Sequence, residues 1–114
     1  MNEGRLSLNR FVEIVSTAPA RLFGMYPKKG EIAPGSDADV VIWDPQAAHT
    51  IRAATQEMRV DYSMYEGFEV RGRARTVLSR GEVIVEDGKF TGKPGRGVYL
   101  KRAPFAAAWG GGAA

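Results

Sequence analysis

The first part of the chain has apolar residues at the spacing of one helix face. Leu8, Phe11, Val12 and Val15 recur at this spacing, and Ser7 stands where it can cap the amino end. The pattern predicts an amphipathic helix with one apolar side.

A second short helix is expected directly afterwards. The first helix should end at Ser16–Thr17, where the threonine can cap a helix that begins Ala18–Pro19, because proline is accepted in a helix's first turn. Leu22 and Phe23 are expected to point inward, and Gly24 to end the turn.

From Tyr26 onward the helical periodicity stops, and short apolar runs appear between turn residues: Pro27, Gly30, Pro34 and Gly35. Val40–Trp43 is a continuous apolar run before Asp44 and Pro45, typical of a strand covered on both faces. This run is the clearest strand in the sequence.

An antiparallel meander is predicted next. Its strands are Thr76–Leu78, Glu82–Val85 and the region of Phe90, separated by Arg80-Gly81 and Asp87-Gly88. Asp-Gly favours a two-residue hairpin turn, because both positions accept positive φ.

The chain after Gly92 shows no packing pattern, so we expect it to lie extended across another surface or to be disordered. The sequence thus predicts an α+β chain in three parts: residues 1–26 helical, 27–92 a small, mainly antiparallel β-sandwich or meander, and 93–114 a basic, Gly/Ala-rich tail. The helices lack a partner to pack on, which indicates a missing portion.

Length and composition narrow the class of protein. The 114 residues, 44% hydrophobic and 25% charged, suit one small globular domain and are too few for a (β/α)8 barrel of about 250 residues. No apolar run approaches the roughly 20 residues that cross a bilayer, and no signal peptide is visible. The lack of cysteines fits a cytoplasmic location.

The net charge of +3 raises the question of a polyanionic partner. Arg71, Arg73 and Arg75 alternate along a predicted strand and share one face. Acidic residues lie close by, at Glu66, Glu69 and Glu82. A solvated or subunit-facing surface is therefore favoured, and no nucleic-acid binding is predicted. A free-standing basic module that binds polyanions is the last-ranked alternative.

Candidate chemistry is sparse. His49 is the single histidine and has no neighbouring ligand, so a structural or surface role is favoured over metal binding. Asp37 and Asp39 could form a metal pair, but a strand-entry turn is favoured, with Asp37 accepting from local backbone N–H groups. No nucleophile motif or phosphate loop is present. We therefore predict no catalytic, cofactor-binding or metal residues in this chain.

Three aromatic residues cluster around Glu66-Gly67: Tyr62, Tyr65 and Phe68. They could form a binding platform. The favoured interpretation is that they seal the β core or an interface with the missing portion.

The stretch GEIAPGSDADVVIWDP, Gly30 to Pro45, resembles the β-sandwich signature of the amidohydrolase superfamily. NRFVEIVSTAPARLFGMYPKKG, Asn9 to Gly30, and VDYSMYEGFEVRG, Val60 to Gly72, are similar to the dihydropyrimidinase/D-hydantoinase branch. The resemblance covers about four-fifths of the chain and leaves the terminal AAAWGGGAA unmatched.

The resemblance implies the carboxyl-terminal part of a cyclic-amide hydrolase. In that family a TIM-type barrel holds two divalent metals, usually zinc, whose bridging hydroxide attacks the ring amide. The match begins downstream of the family's last catalytic residue, so none of its metal ligands or acid/base groups can be placed here. The implied partners are the missing barrel and, through the tail segment Arg96–Phe105 and the β domain, neighbouring subunits.

Two functional hypotheses follow from the resemblance. The chain is part of a hydrolase and is inactive alone, or it is part of a non-catalytic, dihydropyrimidinase-like scaffold that binds partners. The metal-ligand residues upstream of such a chain distinguish the two.

Overall fold

The computed structural model of the chain describes residues 3–104. Its helical segment consists of α1, a π-helical turn and α2: Leu8–Val12, Glu13–Thr17 and Ala18–Leu22. The strands are β1 to β4: Val40–Thr50, Glu69–Ser79, Glu82–Glu86 and Lys89–Phe90, with a 3-10 turn at Ala53–Thr55. The α+β class predicted from the sequence is confirmed. No helix in residues 3–104 is long and apolar enough to cross a membrane.

The backbone remains helical from α1 through α2. The predicted cap at Ser7 is confirmed, since its Oγ accepts from the N–H of Arg10 at 3.2 Å. The predicted stop at Ser16–Thr17 is wrong. Thr17 has helical dihedrals, and its hydroxyl donates to the carbonyl of Gly30 at 2.7 Å instead of capping α2. The π-helical turn directly precedes α2, whose first turn contains Pro19, a residue without an N–H to donate.

The four strands form one antiparallel sheet in the order β1-β2-β3-β4, a meander. Both predicted hairpin turns are present, with φ of 48° and 80° at Arg80 and Gly81 and of 47° and 79° at Asp87 and Gly88. The sandwich part of the prediction has no counterpart here, since the described strands make a single sheet.

β1 continues past its predicted end at Trp43. Its pairing with β2 shifts register between Asp44 and Ala48. Asp44 Oδ1 accepts from the N–H groups of Gln46 and Ala47 at 2.9 and 3.2 Å, which folds the chain out around Pro45. The strand then resumes pairing to Thr50.

Apolar burial is low in the described part of the chain. Ala20 is the one buried hydrophobic residue there, 3% exposed. Leu22 and Phe23, predicted to point inward, are about half exposed, and so are Val41 and Ile42 of β1. Those predictions are wrong for this chain because no helical element packs on a strand within residues 3–104.

Ala20 is buried because the loop after α2 folds back onto the helix. The N–H groups of Met25 and Tyr26 both donate to the Ala20 carbonyl, at 2.8 and 3.1 Å. Gly30 packs on the same residue so closely that a β-carbon on it would lie 2.5 Å from the Ala20 Cβ. This loop carries the chain from the helix to the sheet.

Candidate functional site

The main polar cluster of the described residues centres on Lys29. Its Nζ lies 2.8 Å from Asp37 Oδ2 and 2.5 Å from Asp39 Oδ2. The loop folds to bring them together because the Asp37 N–H donates to the Lys28 carbonyl at 2.9 Å. Asp37 and Asp39 thus converge on one cation, and that cation is an ammonium group of this chain.

The Asp39 carboxylate also binds the turn between β2 and β3. Asp39 Oδ1 accepts from the backbone N–H of Arg80 at 2.8 Å, and the Gly81 N–H donates to the Ala38 carbonyl at 3.0 Å. In place of the predicted hydrogen bonds from local backbone N–H groups, the Asp37 carboxylate pairs with Lys29. The carboxylate that accepts a backbone N–H is that of Asp39, and the donor lies in the remote β2–β3 turn.

The electrostatics of the cluster follow from this geometry. Burial by itself would raise the pKa of Asp39, but hydrogen bonds from Lys29 and from the Arg80 N–H, with both positive charges, hold it below its usual value of 3.8. Burial by itself would lower the pKa of Lys29, but its bonds to Asp37 and Asp39 raise it above 10.5. Both the Asp39 carboxylate and the Lys29 ammonium group are therefore charged at neutral pH.

Arg96 binds the other side of the same turn. Its Nε lies 2.7 Å from Glu82 Oε2, and its Nη2 donates to the Ser79 carbonyl at 2.7 Å. The Arg80 guanidinium in turn donates to the Arg96 carbonyl. An open cleft of about 220 Å³ lies between the loop, the turn and the tail.

This arrangement cross-links the loop, the β2–β3 turn and the tail through ion pairs and hydrogen bonds. The carboxylates of Asp37, Asp39 and Glu82 are each bound to a cation. No group of three or more His, Cys, Asp or Glu side chains gathers within residues 3–104. Sequence reasoning missed Lys29 and Arg96, because nothing local distinguishes them from other surface cations.

His49 lies in β1, paired with Val70 of β2. Its Nδ1 is buried and has no hydrogen-bond partner. The same is true of Gln56 Oε1 in the following loop. No group of three or more His, Cys, Asp or Glu side chains that could hold a metal includes it in the described residues. The structural role predicted for His49 remains the favoured interpretation.

The three arginines of β2 are all exposed and alternate with less exposed residues, as predicted. Arg75 pairs weakly with Asp87 at 3.5 Å. Arg73 lies against Gly88, where a β-carbon would be 1.7 Å from its Nη2. Arg73 and Arg75 thus lie beside the β3–β4 turn, whereas Arg71 lies opposite Ala48 of β1.

The predicted aromatic cluster is partly assembled. Tyr65 and Phe68 meet edge to face, with ring centroids 5.9 Å apart, and the backbone of Ile51 binds Gly67 and Phe68. Both rings are more than half exposed, and Tyr62 is 72% exposed. The residues do not seal a core within residues 3–104, and an interface with another portion remains a prediction.

Comparison with known proteins gives the family context. The sequence profile of the amidohydrolase family matches residues 1–84. The D-hydantoinase of Ralstonia pickettii is 52% identical over 105 residues, which are 92% of this chain and 23% of that protein. The D-hydantoinase of Geobacillus stearothermophilus is 53% identical over 107 residues, or 94% of this chain and 23% of that protein.

Solved structures show the same backbone arrangement. The crystal structure of dihydropyrimidinase from Brevibacillus agri is 50% identical and superposes with a TM-score of 0.88 over 92% of this chain and 23% of its own. The L-hydantoinase of Arthrobacter aurescens is 39% identical, with a TM-score of 0.77 over 81% of this chain and 20% of its own. The chain therefore spans less than a quarter of the length of the relatives that it matches.

Proposed function

The chain belongs to the amidohydrolase family, and we propose that it supplies the β domain and adjoining helices of a metal-dependent hydrolase that opens hydantoin or dihydropyrimidine rings. The observation that carries this proposal is the identity of about one residue in two to D-hydantoinases over about nine-tenths of the chain. These relatives are named as hydrolytic enzymes, which favours an enzyme over a non-catalytic scaffold.

The metal centre implied by the family does not fit the residues of this chain. The sequence has one histidine and no cysteine, and the paired carboxylates Asp37 and Asp39 already hold Lys29. Divalent metals would have to be held by polypeptide outside these 114 residues. We therefore assign this chain no catalytic step, only the support of a reaction centre held elsewhere.

The exposed apolar surface of the helical segment supports a structural role for this chain beside a reaction centre in other polypeptide. Leu8, Val12 and Val15 form the apolar side of the helical segment and are each about half exposed or more. A large apolar surface of this kind marks a binding face. About three-quarters of each relative lies outside the segment that matches this chain. We propose that the corresponding polypeptide covers this apolar face.

Segment exchange tests the proposal directly. The segment of the Geobacillus stearothermophilus D-hydantoinase that matches this chain is replaced by this chain, and ring opening of hydantoin is measured by the zinc-loaded chimera. We expect the chimera to be active and the same enzyme with the segment deleted to be inactive. The parent enzyme with its own segment reinserted through the same junctions is the control.

Two outcomes would contradict the proposal. One is a folded, zinc-loaded chimera that does not open the ring while the reinserted control does. The other is turnover by the purified 114-residue chain with added zinc, because that would place the reaction centre within this sequence.

We also propose that the parent protein is a cytoplasmic homo-oligomer in which the β domain and the tail contact other subunits. Val98 and Tyr99 of the tail support this, since they are 73% and 89% exposed. Light scattering of the active chimera tests it, with a Tyr99→Ser chimera for comparison. A monomeric active chimera would contradict the oligomer.

A further inference from the structure

The helical segment and the sheet do not pack on each other, so their relative orientation must be fixed by the chain that connects them. One connection is the loop of residues 25–39, which binds Ala20 at one end and the β2–β3 turn at the other. This loop contains two glycines and two prolines, and a single connection leaves the two parts able to pivot. A second, independent connection would remove that freedom.

The tail provides a second connection, and its first attachment is Arg96. The guanidinium binds Glu82 Oε2 and the Ser79 carbonyl, both at 2.7 Å. The Arg96 side chain is only 19% exposed, whereas that of Glu82 is 70% exposed. Two directed hydrogen bonds from a shielded guanidinium fix both position and direction of the chain at this point.

The second attachment lies at the end of α2. The Ala103 N–H donates to the Gly24 carbonyl at 2.8 Å. Gly24 is buried, and a β-carbon on it would lie 2.0 Å from the Ala103 carbonyl oxygen. The close approach of the tail therefore requires glycine at the position that ends the helix.

We propose that residues 93–104 form a strap that sets the orientation of the helical segment relative to the sheet, fastened by Arg96 at the β2–β3 turn and by Ala103 at Gly24. The strap goes beyond the function proposed above, because it acts within one chain. Val98 and Tyr99 lie between the two fastenings and remain exposed, so fastening the strap also presents them outward.

A distance measurement tests the strap. The chain has no cysteine, so Asn9→Cys on α1 and Lys89→Cys on β4 accept spin labels cleanly. In the full 114-residue chain, diluted with an excess of unlabelled chain so that separations between associated copies do not contribute, we expect a single narrow distribution of label separations. Arg96→Ala and Ala103→Pro should each broaden it by at least about twofold, because each releases one attachment and allows local opening.

Arg102→Ala is the matched control, since it removes an exposed arginine from the same segment and should leave the distribution unchanged. Hydrogen exchange of the Ala103 amide should accelerate by at least about tenfold in Arg96→Ala, as the loss of a charge-assisted hydrogen bond implies. The amides that pair β1 with β2 should be unaffected.

Three outcomes overturn the strap. They are a broad distribution in the unsubstituted chain, a narrow one in Ala103→Pro, and broadening by Arg102→Ala equal to that by Arg96→Ala. If Arg96→Ala also loosens the β1–β2 amides, Ala103→Pro decides, because it removes one N–H donor far from the sheet. A narrow distribution in that variant rejects the proposal, and a broad one with an intact sheet supports it.

Discussion

The indole of Trp43 in β1 lies directly against Gly72 in β2. A β-carbon on Gly72 would be 2.7 Å from Trp43 Cζ2 and 3.0 Å from Nε1. Gly72 has φ of +106° and is buried, and it lies beside the register shift between Asp44 and Ala48. The ring can cross to the neighbouring strand because residue 72 has no side chain.

Substituting Gly72 with alanine is expected to destabilise the sheet. The new methyl group meets the indole, and a positive φ is strained for alanine, so the free energy of unfolding should fall by about 2 to 4 kcal/mol. Urea denaturation followed by circular dichroism measures the loss.

Gly35→Ala separates the two causes. Gly35 has φ of +92° but no atom within 4 Å of its β-carbon position, so this variant should show the backbone strain alone. Equal losses at the two positions would mean that the contact with Trp43 contributes nothing.

Removing the indole should cost less than its size alone suggests. Full burial would put the cost of Trp43→Ala at about 3 to 5 kcal/mol. The side chain is 43% exposed, so we expect a loss of about 1 to 2 kcal/mol in this chain. Denaturation of the purified variant checks this. A loss within the full-burial range would show that another surface covers the ring, through self-association for example.

The Lys29 cluster should make stability depend on pH at both extremes. The pKa of Asp39 is lowered in the fold, so its contribution is present above the usual value of 3.8 and is lost as pH falls through the lowered value. The pKa of Lys29 is raised, so its contribution is present below 10.5 and is lost as pH rises through the raised value. Melting temperatures across this range should therefore drop below pH 4 and above pH 10.5.

The Asp39→Asn variant tests the fall in melting temperature below pH 4, which we call the acid limb. The variant should show a smaller fall in melting temperature there and a lower melting temperature at pH 7. Asp61→Asn, at an exposed loop carboxylate, is the control and should leave the acid limb unchanged. An acid limb identical in the Asp39→Asn variant would exclude Asp39 as its source.

The apolar side of the helical segment should drive self-association of the isolated chain. Val15 is 56% exposed on this side, and Val15→Lys should shift the chain toward monomer in analytical ultracentrifugation. Ile32→Lys is the matched control, because Ile32 is 83% exposed in the loop, apart from the helical segment. An unsubstituted chain that is a clean monomer at high concentration would contradict the expectation.

Local signals in the sequence predicted the elements well. Ser7 caps the first helix, and Arg80-Gly81 and Asp87-Gly88 form the two hairpin turns, because capping and positive φ depend on a few adjacent residues. The same logic misplaced the end of the helix at Ser16–Thr17. A carbonyl of the distant Gly30 offered the threonine hydroxyl a partner that the local sequence does not reveal.

The sequence by itself determined the α+β class, the strand at Val40–Trp43, the hairpins and the resemblance to hydantoinases, since each depends on neighbouring residues or on a recognisable stretch. Only the tertiary structure decided that Lys29 sits between two carboxylates and that Arg96 fastens the tail to the β2–β3 turn. It also decided how much of the apolar pattern this chain leaves uncovered. Hydrogen-bonded pairing between remote residues and burial are properties of the folded chain as a whole, and no local pattern encodes which side chain meets which.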